Sequence, residues 1–326
     1  MDKIRIGLTG LGYIGQIHLK LLMENPQVEV AGVCDISRKA LETVKNQYQL
    51  EKLYSNFGEM IEEEEIDGVV IATPPHIHVQ QALLALKKGL YVMIEKPMST
   101  TLEEAKKIYD VAKNTNKLMI GFSLRFHGLY MKVKDYIESG KLGDIIFQWH
   151  IALGKTPPTP WIKDVRKSGG MINEHSVHMI YYFKWFAGAV KEVNAKCWRL
   201  QEDSTIEDNA VVNLIHESGA VSTILQSWTA SHRWRRWGLQ LTNGTVTVEG
   251  YLEGPYKITC KDNTLEEGYF KEPVEDMYRR ELKHFIECIK REEKPTVNEK
   301  DGIEVQEIVE AIYMSAREGK SVKLPL

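Results

Sequence analysis

The stretch Gly10-Leu11-Gly12-Tyr13-Ile14-Gly15 decides how this chain is read. An apolar run, Ile4–Leu8, precedes it and a helix-like stretch follows. Asp35 ends the next apolar run, about 20 residues past the last glycine. Glycines alone would fit an ordinary turn of an α/β protein. Strand, glycine turn, helix and distant acid together describe a dinucleotide site, in which helix-start amides hold a pyrophosphate. Gly10, Gly12, Tyr13, Ile14 and Gly15 are the expected cofactor contacts. Asp35 can accept hydrogen bonds from the adenosine ribose hydroxyls, which favours NAD over NADP. Ser37, Arg38 and Lys39 follow at once. They read either as a cradle for the 2′-phosphate of NADP, with Arg38 the contact, or as the exposed first turn of a helix.

Outward from this turn, short apolar runs alternate with helical patterns. Ile4–Leu8, Val28–Cys34, Gly68–Ala72, Leu90–Glu95 and Leu118–Phe122 read as strands, and Gln80–Lys88 and Leu102–Asn114 as helices. Thr101 stands three residues before Glu104, a capping-box spacing, and Ala105, Ile108 and Ala112 recur at helical spacing. Alternation of this kind predicts an α/β fold with a doubly wound parallel sheet. After about Gly121 the pattern changes. Ile145–Leu153, Val193–Leu200, Asn209–His216, Ala220–Trp228, Gly238–Thr242 and Thr245–Glu249 read as strands, with hairpin turns at 217–219 and 243–244. A helix is expected near Met171–Phe186, and residues from about Asp276 to Arg317 are helical again. A dinucleotide-binding domain of residues 1–122 is therefore expected before an α+β domain of residues 123–326, built on a mostly antiparallel sheet. A ligand site is expected at the crossing between the two.

Composition sets the outer bounds. At 326 residues, two domains are a reasonable prior, and 43% hydrophobic residues suffice for sizeable cores. A formal charge of −3 argues against a nucleic-acid partner or an anionic membrane surface. No apolar run approaches a membrane span, and the N-terminus lacks a signal-peptide pattern. Cys34, Cys197, Cys260 and Cys288 are scattered and read as reduced and intracellular, giving a cytoplasmic expectation. The run Glu62 to Glu65 reads as a solvated helix face.

Three further segments carry chemistry. In Ala72-Thr73-Pro74-Pro75-His76 two prolines stop a strand and fix a loop at the carboxyl edge of the sheet, where ligands bind in such folds. Thr73 and Pro74 are candidate cofactor contacts. His76 and His78 read chiefly as the start of the next helix, with His78 kept as a cofactor candidate. Glu95-Lys96-Pro97 closes a buried-looking strand at the same edge. An ammonium there can hydrogen-bond a substrate hydroxyl and help set its acidity. Glu95 and Lys96 are also candidate cofactor contacts. In Ser168–His178, a helix entered after Gly169-Gly170 would put Glu174 and His178 one turn apart on one face. His178 can then exchange a proton with an alcohol, and Glu174 can orient its ring. An exposed Glu–His pair is the bland alternative. Glu174, His175 and His178 could also be metal ligands, but no cysteine or carboxylate cluster completes a sphere, so no metal is expected.

With these segments in view, the chain resembles the Gfo/Idh/MocA oxidoreductases, which include inositol and glucose–fructose-type dehydrogenases. The resemblance rests on GLGYIG, VCDISRKAL, DGVVIATPPHIHVQQAL, EKPMSTTLEEA, GFSLRFH, SGGMINEHSVH and the helical close ELKHFIECIKREEKPTVNEKDGIE, and spans nearly the whole length. It implies an N-terminal Rossmann domain and a C-terminal α/β domain with a large open sheet that often makes subunit contacts, hence a homodimer or homotetramer. It implies reversible oxidation of a sugar or polyol hydroxyl by a nicotinamide cofactor, the substrate lying between nicotinamide and second domain. Lys96 matches the family's EKP lysine and His178 its catalytic histidine. Glu174 stands where many members have aspartate, and Tyr181 where many have a further aspartate. Arg125 matches an arginine near nicotinamide or substrate; an ion pair at the domain interface is its alternative role.

The stretch Trp228–Trp237, with Arg233, Arg235 and Arg236 among its tryptophans, is unusual. Aromatic faces bind sugar rings and arginines bind carboxylates or phosphates, so it can line a substrate pocket and select an acidic sugar. It reads more readily as an oligomer contact, with Trp228 nearest the pocket. Lys96, Arg125, Trp161, Glu174, His178 and Trp228 are the expected substrate residues. Two rival functions stay open. Some relatives hydrolyse glycosides through transient oxidation with bound NAD, and the altered polar set at Glu174 and Tyr181 leaves room for that. A nicotinamide-sensing regulator on the same fold would need neither Lys96 nor His178.

Overall fold

The computed structural model describes residues 3–326. The described residues form two compact units, one comprising residues 3–123 and Glu275–Ile303, the other Leu124–Val274 and Glu304–Leu326. The second boundary departs from a single division at residue 122. Residues 275–303 return to the first unit because their apolar face packs on its sheet.

In the first unit the elements alternate: β1 (Ile4–Thr9), α1 (Tyr13–Glu24), β2 (Val28–Cys34), α2 (Arg38–Tyr48), β3 (Leu53–Tyr54), α3 (Phe57–Glu63), β4 (Gly68–Ile71), α4 (Pro75–Lys87), β5 (Tyr91–Glu95), α5 (Leu102–Ala112) and β6 (Leu118–Gly121). The strands pair in parallel in the order β3-β2-β1-β4-β5-β6. Strand order reverses between β1 and β4, the switch point at which such sheets open a crevice at their carboxyl ends. All five residues of β5 are buried, as a parallel strand covered on both faces requires. Thr101 caps α5 by accepting from the Glu104 amide. In the acidic run Glu62, Glu63 and Glu65 are exposed as expected, and Glu64 alone departs. Glu64 accepts from Tyr54 Oη at 2.7 Å and pairs with Lys52, which hold its carboxyl below the ordinary range against the opposing effect of burial.

In the second unit, α6 (Gly128–Glu138), β7 (Ile145–Lys155) and the short α7 (Val165–Ser168) lead to α8 (Val177–Ala187). There follow β8 (Val190–Trp198), β9 (Asn209–His216), β10 (Val221–Ser227), β11 (Thr229–Leu241), β12 (Gly244–Val248), β13 (Gly254–Cys260) and β14 (Asn263–Phe270). The helical close splits at Pro295 into α9 (Val274–Arg291) and α10 (Glu299–Glu318), before β15 (Val322–Lys323). Nine strands form one sheet in the order β14-β13-β12-β11-β7-β10-β9-β8-β15. Only the β7–β10 pair is parallel, so the sheet is mostly antiparallel as expected. Helix α8 is apolar almost all round, burying Val177, Met179, Ile180, Tyr181, Tyr182, Phe183 and Phe186. Among the described residues no helix is long and apolar enough to cross a membrane. The four cysteines are unpaired; burial pushes the Cys34 thiol up to about 11.

Candidate functional site

The glycine turn of the first unit has the shape a dinucleotide requires. Gly10 has φ +91°, and a Cβ on it would come 2.5 Å from the Ala72 carbonyl oxygen. A Cβ on Gly15 would meet the Gly10 carbonyl oxygen at 1.8 Å, so only glycine lets α1 start this close to β1. Gly12 differs: a Cβ there would touch nothing within 4 Å, so the space beside it is open. No side chain caps α1 at Gly12. Its first amides face that open space with the positive end of the helix dipole, a fit for a pyrophosphate. Tyr13 begins α1 and is largely exposed, while the Ile14 side chain shares the α1 start.

Asp35 locks the turn. Its Oδ2 accepts from the Leu11 amide at 2.6 Å and its Oδ1 from the Ser37 amide at 2.7 Å. Each oxygen keeps a lone pair for a ribose hydroxyl. Ser37 caps α2 through Ala40 N–H, and Arg38 is the exposed first residue of that helix. Ile36 between them, 92% exposed, was not singled out by sequence reasoning; an apolar residue directly after the acid was the available signal.

The loops after β4 and β5 are tied together. Thr73 Oγ1 donates to Gln81, whose amide donates to Thr9 Oγ1. His78 is fully buried, with Nε2 at 2.7 Å from the Thr73 carbonyl and Nδ1 at 2.9 Å from the Pro97 carbonyl. Burial pulls its pKa down, against the two carbonyl contacts. With its pKa held down the ring carries a single N–H, which donates to one of the two carbonyls, so His78 sits between the Thr73-Pro74 loop and the Lys96-Pro97 loop with a hydrogen bond to one of them. Glu95 is likewise engaged: its Oε1 lies 2.7 Å from His18 Nε2 and its Oε2 accepts from the Lys96 amide at 3.3 Å. Lys96 itself is half-buried, and the Lys96–Pro97 bond is cis.

In the second unit the Ser168–His178 segment does not enter a plain α-helix. Ile172–Ser176 is π-helical, and α8 begins at Val177. Such wide turns often sit at functional sites. Glu174 lies in the wide turn and His178 in the first turn of α8, still one turn apart. Residues distant in sequence hold this turn. Glu207 accepts from the Ile172 amide at 2.8 Å and from Tyr313 Oη at 2.7 Å. Gln306 donates to Asn173 at 2.8 Å. A Cβ on Gly170 would meet Tyr313 Oη at 2.2 Å. Burial raises the Glu207 pKa. Among the described residues, three metal-capable side chains come within 4.8 Å of one another at His18, Glu95 and Glu281, not at Glu174, His175 and His178.

The remaining candidates scatter over the second unit. Tyr181 is buried in α8. Arg125 lies with its guanidinium 4.0 Å from the centre of the Trp185 ring. Trp161 is half-buried on the short helical turn Pro160–Lys163. The Trp228–Trp237 stretch splits. Trp237 is core, 1% exposed and stacked on Tyr130 at 4.4 Å, so the expectation of a contact surface over most of the stretch does not extend to it. Its register explains why: Trp237 pairs with His150 on the inner face of the sheet. Arg236 is exposed and paired with Glu249. Trp228 is buried and meets the His175 ring edge-on at 6.1 Å.

Two family models match the chain. The oxidoreductase family, NAD-binding Rossmann fold, matches residues 4–122, and the oxidoreductase family, C-terminal alpha/beta domain, matches residues 134–324. The chain belongs to the Gfo/Idh/MocA oxidoreductase family. This oxidoreductase is similar to the myo-inositol 2-dehydrogenase of Thermotoga maritima, 28% identical over 333 residues, 98% of each protein. It is also similar to the WlbA dehydrogenase of Bordetella pertussis, solved with NADH and UDP-GlcNAcA, at 25% identity and TM-score 0.86 over 100% of both chains. A levoglucosan dehydrogenase solved with NADH and L-sorbose shares the fold, with TM-score 0.90 at 20% identity over 100% of both chains.

NAD is the cofactor of this oxidoreductase family's Rossmann domain, and the open space at Gly12, the uncapped start of α1 and Asp35 at the end of β2 all fit it. Sequence reasoning missed the supports behind the oxidoreductase's site: His18, Glu207, Glu281, Gln306 and Tyr313. Each is a lone polar residue inside a helical or loop pattern, and only the fold brings it to its partner.

Proposed function

We propose that this oxidoreductase is a dehydrogenase that moves a hydride between NAD and a CH–OH group of a sugar, polyol or sugar derivative. The setting of Lys96 carries the reading. It follows β5 at the sheet edge that also bears the glycine turn after β1 and the Thr73-Pro74 loop after β4. A cation fixed on that edge is within the region where ligands of doubly wound sheets lie. In the proposed reaction Lys96 hydrogen-bonds the substrate hydroxyl and lowers its pKa. His178 takes the hydroxyl proton, and Glu174 orients the imidazole. The nicotinamide, when bound, supplies the hydride acceptor. Tyr13 and Ile36 offer exposed apolar surface beside the dinucleotide turn, suited to an adenine ring. Inositol and levoglucosan, named in the relatives above, fit this substrate class.

The test is a fluorescence screen for NADH or NADPH formation with inositols, aldoses, ketoses and sugar acids. With a substrate in hand, His178→Asn and Lys96→Met should each lower kcat/KM by about 10² to 10⁴, the usual worth of acid–base assistance. NADH should bind the His178 variant as it binds the parent. Undiminished turnover in either variant would remove that residue from the mechanism. Glycoside cleavage without net NADH would replace the reaction by its redox-neutral counterpart.

A further inference from the structure

In the second unit a cavity of about 430 Å³ opens beside the wide turn that carries Glu174. His175 and the buried Trp228 line it. So do Lys155, at the end of β7, and His232, Arg233 and Arg235, on β11. No lining residue is acidic.

The strand geometry explains how the cations gather. β11 pairs with β7 in register from Trp237 back to Trp234, and then the register breaks until Thr229 meets Lys155. The intervening residues bulge out of the ladder and carry His232 and Arg233 over the cavity, as bulges re-aim side chains elsewhere. Arg235 shares the inner face with Trp237, since alternate residues of a strand point the same way. Its guanidinium lies 5.1 Å from the Tyr251 ring centre, and its Nε is buried without a hydrogen-bond partner.

Arginine does not give up its proton in proteins, so burial cannot be relieved by neutralisation. Desolvation and the neighbouring Arg233 charge both work against the Arg235 cation, and Tyr251 and Tyr130 oppose them. The next residue shows the contrast: Arg236 has Glu249 as counter-charge. Among the described residues, no carboxylate pairs with Lys155, Arg233 or Arg235. Three cations thus converge on a cavity that supplies no anion, beside an indole that suits the apolar face of a sugar ring. A concentration of one sign in a low-dielectric cleft attracts the opposite sign.

We propose that this cavity is an oxyanion subsite, and that the substrate is a sugar or polyol bearing a carboxylate or phosphate held by Arg235, Arg233 and Lys155. This rests on the dehydrogenase reading above and narrows its substrate class. The charged group is a handle remote from the reacting hydroxyl. Its binding energy positions the ring, and neutral sugars lack it.

Calorimetric titration of the NAD-loaded protein separates this inference from the reaction. The carboxylate arm uses glucuronate, galacturonate and gluconate; the phosphate arm uses glucose 6-phosphate and inositol phosphate; glucose, galactose and myo-inositol are the neutral counterparts. At least one anionic probe should bind about tenfold or more tightly than its counterpart, and the better arm names the group. Arg235→Gln should weaken that probe by about 10- to 100-fold, the worth of a charge-assisted hydrogen bond. Arg233→Gln, at an exposed position that cannot compromise folding, should weaken it in the same direction. Absence of any anion preference, or a preference that survives in both variants, overturns the subsite. Anion binding that depends on Arg235 but yields no NADH would sustain the subsite and sink the dehydrogenase. Efficient oxidation of neutral polyols, indifferent to both variants, would do the reverse.

Discussion

Gly12 and Glu281 show two ways in which one side chain decides behaviour. Gly12 has φ −65° and ψ −171°, a conformation open to any residue, and a Cβ there meets no protein atom. Folding therefore does not need glycine at this position; backbone approach to a pyrophosphate does. Gly12→Ala should leave stability within about 0.5 kcal/mol but weaken NADH binding by about tenfold or more, equivalent to about 1.4 kcal/mol. Urea unfolding beside a fluorescence titration checks both, and equal affinity in the variant would detach Gly12 from the cofactor. Glu281 is fully buried, both its carboxylate oxygens lacking a hydrogen-bond partner, within 4.8 Å of Glu95 and His18. Burial first, and the Glu95 charge second, push its pKa well above the ordinary value. The folded state thus holds a proton there more tightly than the unfolded chain does. The resulting stabilisation is complete below the ordinary carboxylate pKa of about 4.3 and is lost as pH rises through the folded-state value. Glu281→Gln removes this dependence at nearly constant volume. The variant's urea midpoint, relative to the parent's, should climb as pH rises above the ordinary carboxylate pKa of about 4.3. A difference that stays flat with pH would show that Glu281 is not titrating in the folded protein.

At the scale of elements, legibility followed the strength of the apolar pattern. Strands β2 and β9 occupy the stretches expected of them, because Val28–Cys34 and Asn209–His216 are nearly continuous or cleanly alternating. Strands β13 and β14 escaped notice for the opposite reason. Asn263–Phe270 lies at the sheet edge with most side chains exposed, and Glu266 and Glu267 break any alternation. β11 was seen only in its last residues. Its middle carries Arg233, Arg235 and Arg236, and a charged strand has no hydrophobic period to read. What locates it is pairing with β7, a partner about 80 residues earlier in sequence, so no local rule reaches it. The wide turn at Ile172–Ser176 was invisible for a subtler reason. An α-helix and a π-turn place Glu174 and His178 on nearly the same side, so their spacing suits both. The difference lies in the clamps, Glu207 on the Ile172 amide and Gln306 on Asn173, which are distant in sequence.

At the scale of the molecule, the sequence located the change of architecture near residue 122 but not the return of the chain. Helix α9 has strong helical periodicity, and nothing in that periodicity says which sheet its apolar face covers. The contacts do. Tyr278 meets the His18 ring edge-on at 5.5 Å. A Cβ on Gly68 would lie 2.8 Å from Ile289 and 3.3 Å from Phe285, so α9 sits against the backbone of β4 itself. Burial of each such side chain contributes about 1.5–3 kcal/mol, and a domain's net stability is only about 5–15 kcal/mol. Losing three of them together removes a large share of that margin. A fragment ending at residue 122 should therefore fail to unfold cooperatively in urea and should not bind NADH. Joining residues 275–303 to it through a flexible linker should restore both properties. Cooperative unfolding and NADH binding by residues 1–122 alone would mean that α9 covers a sheet already stable without it.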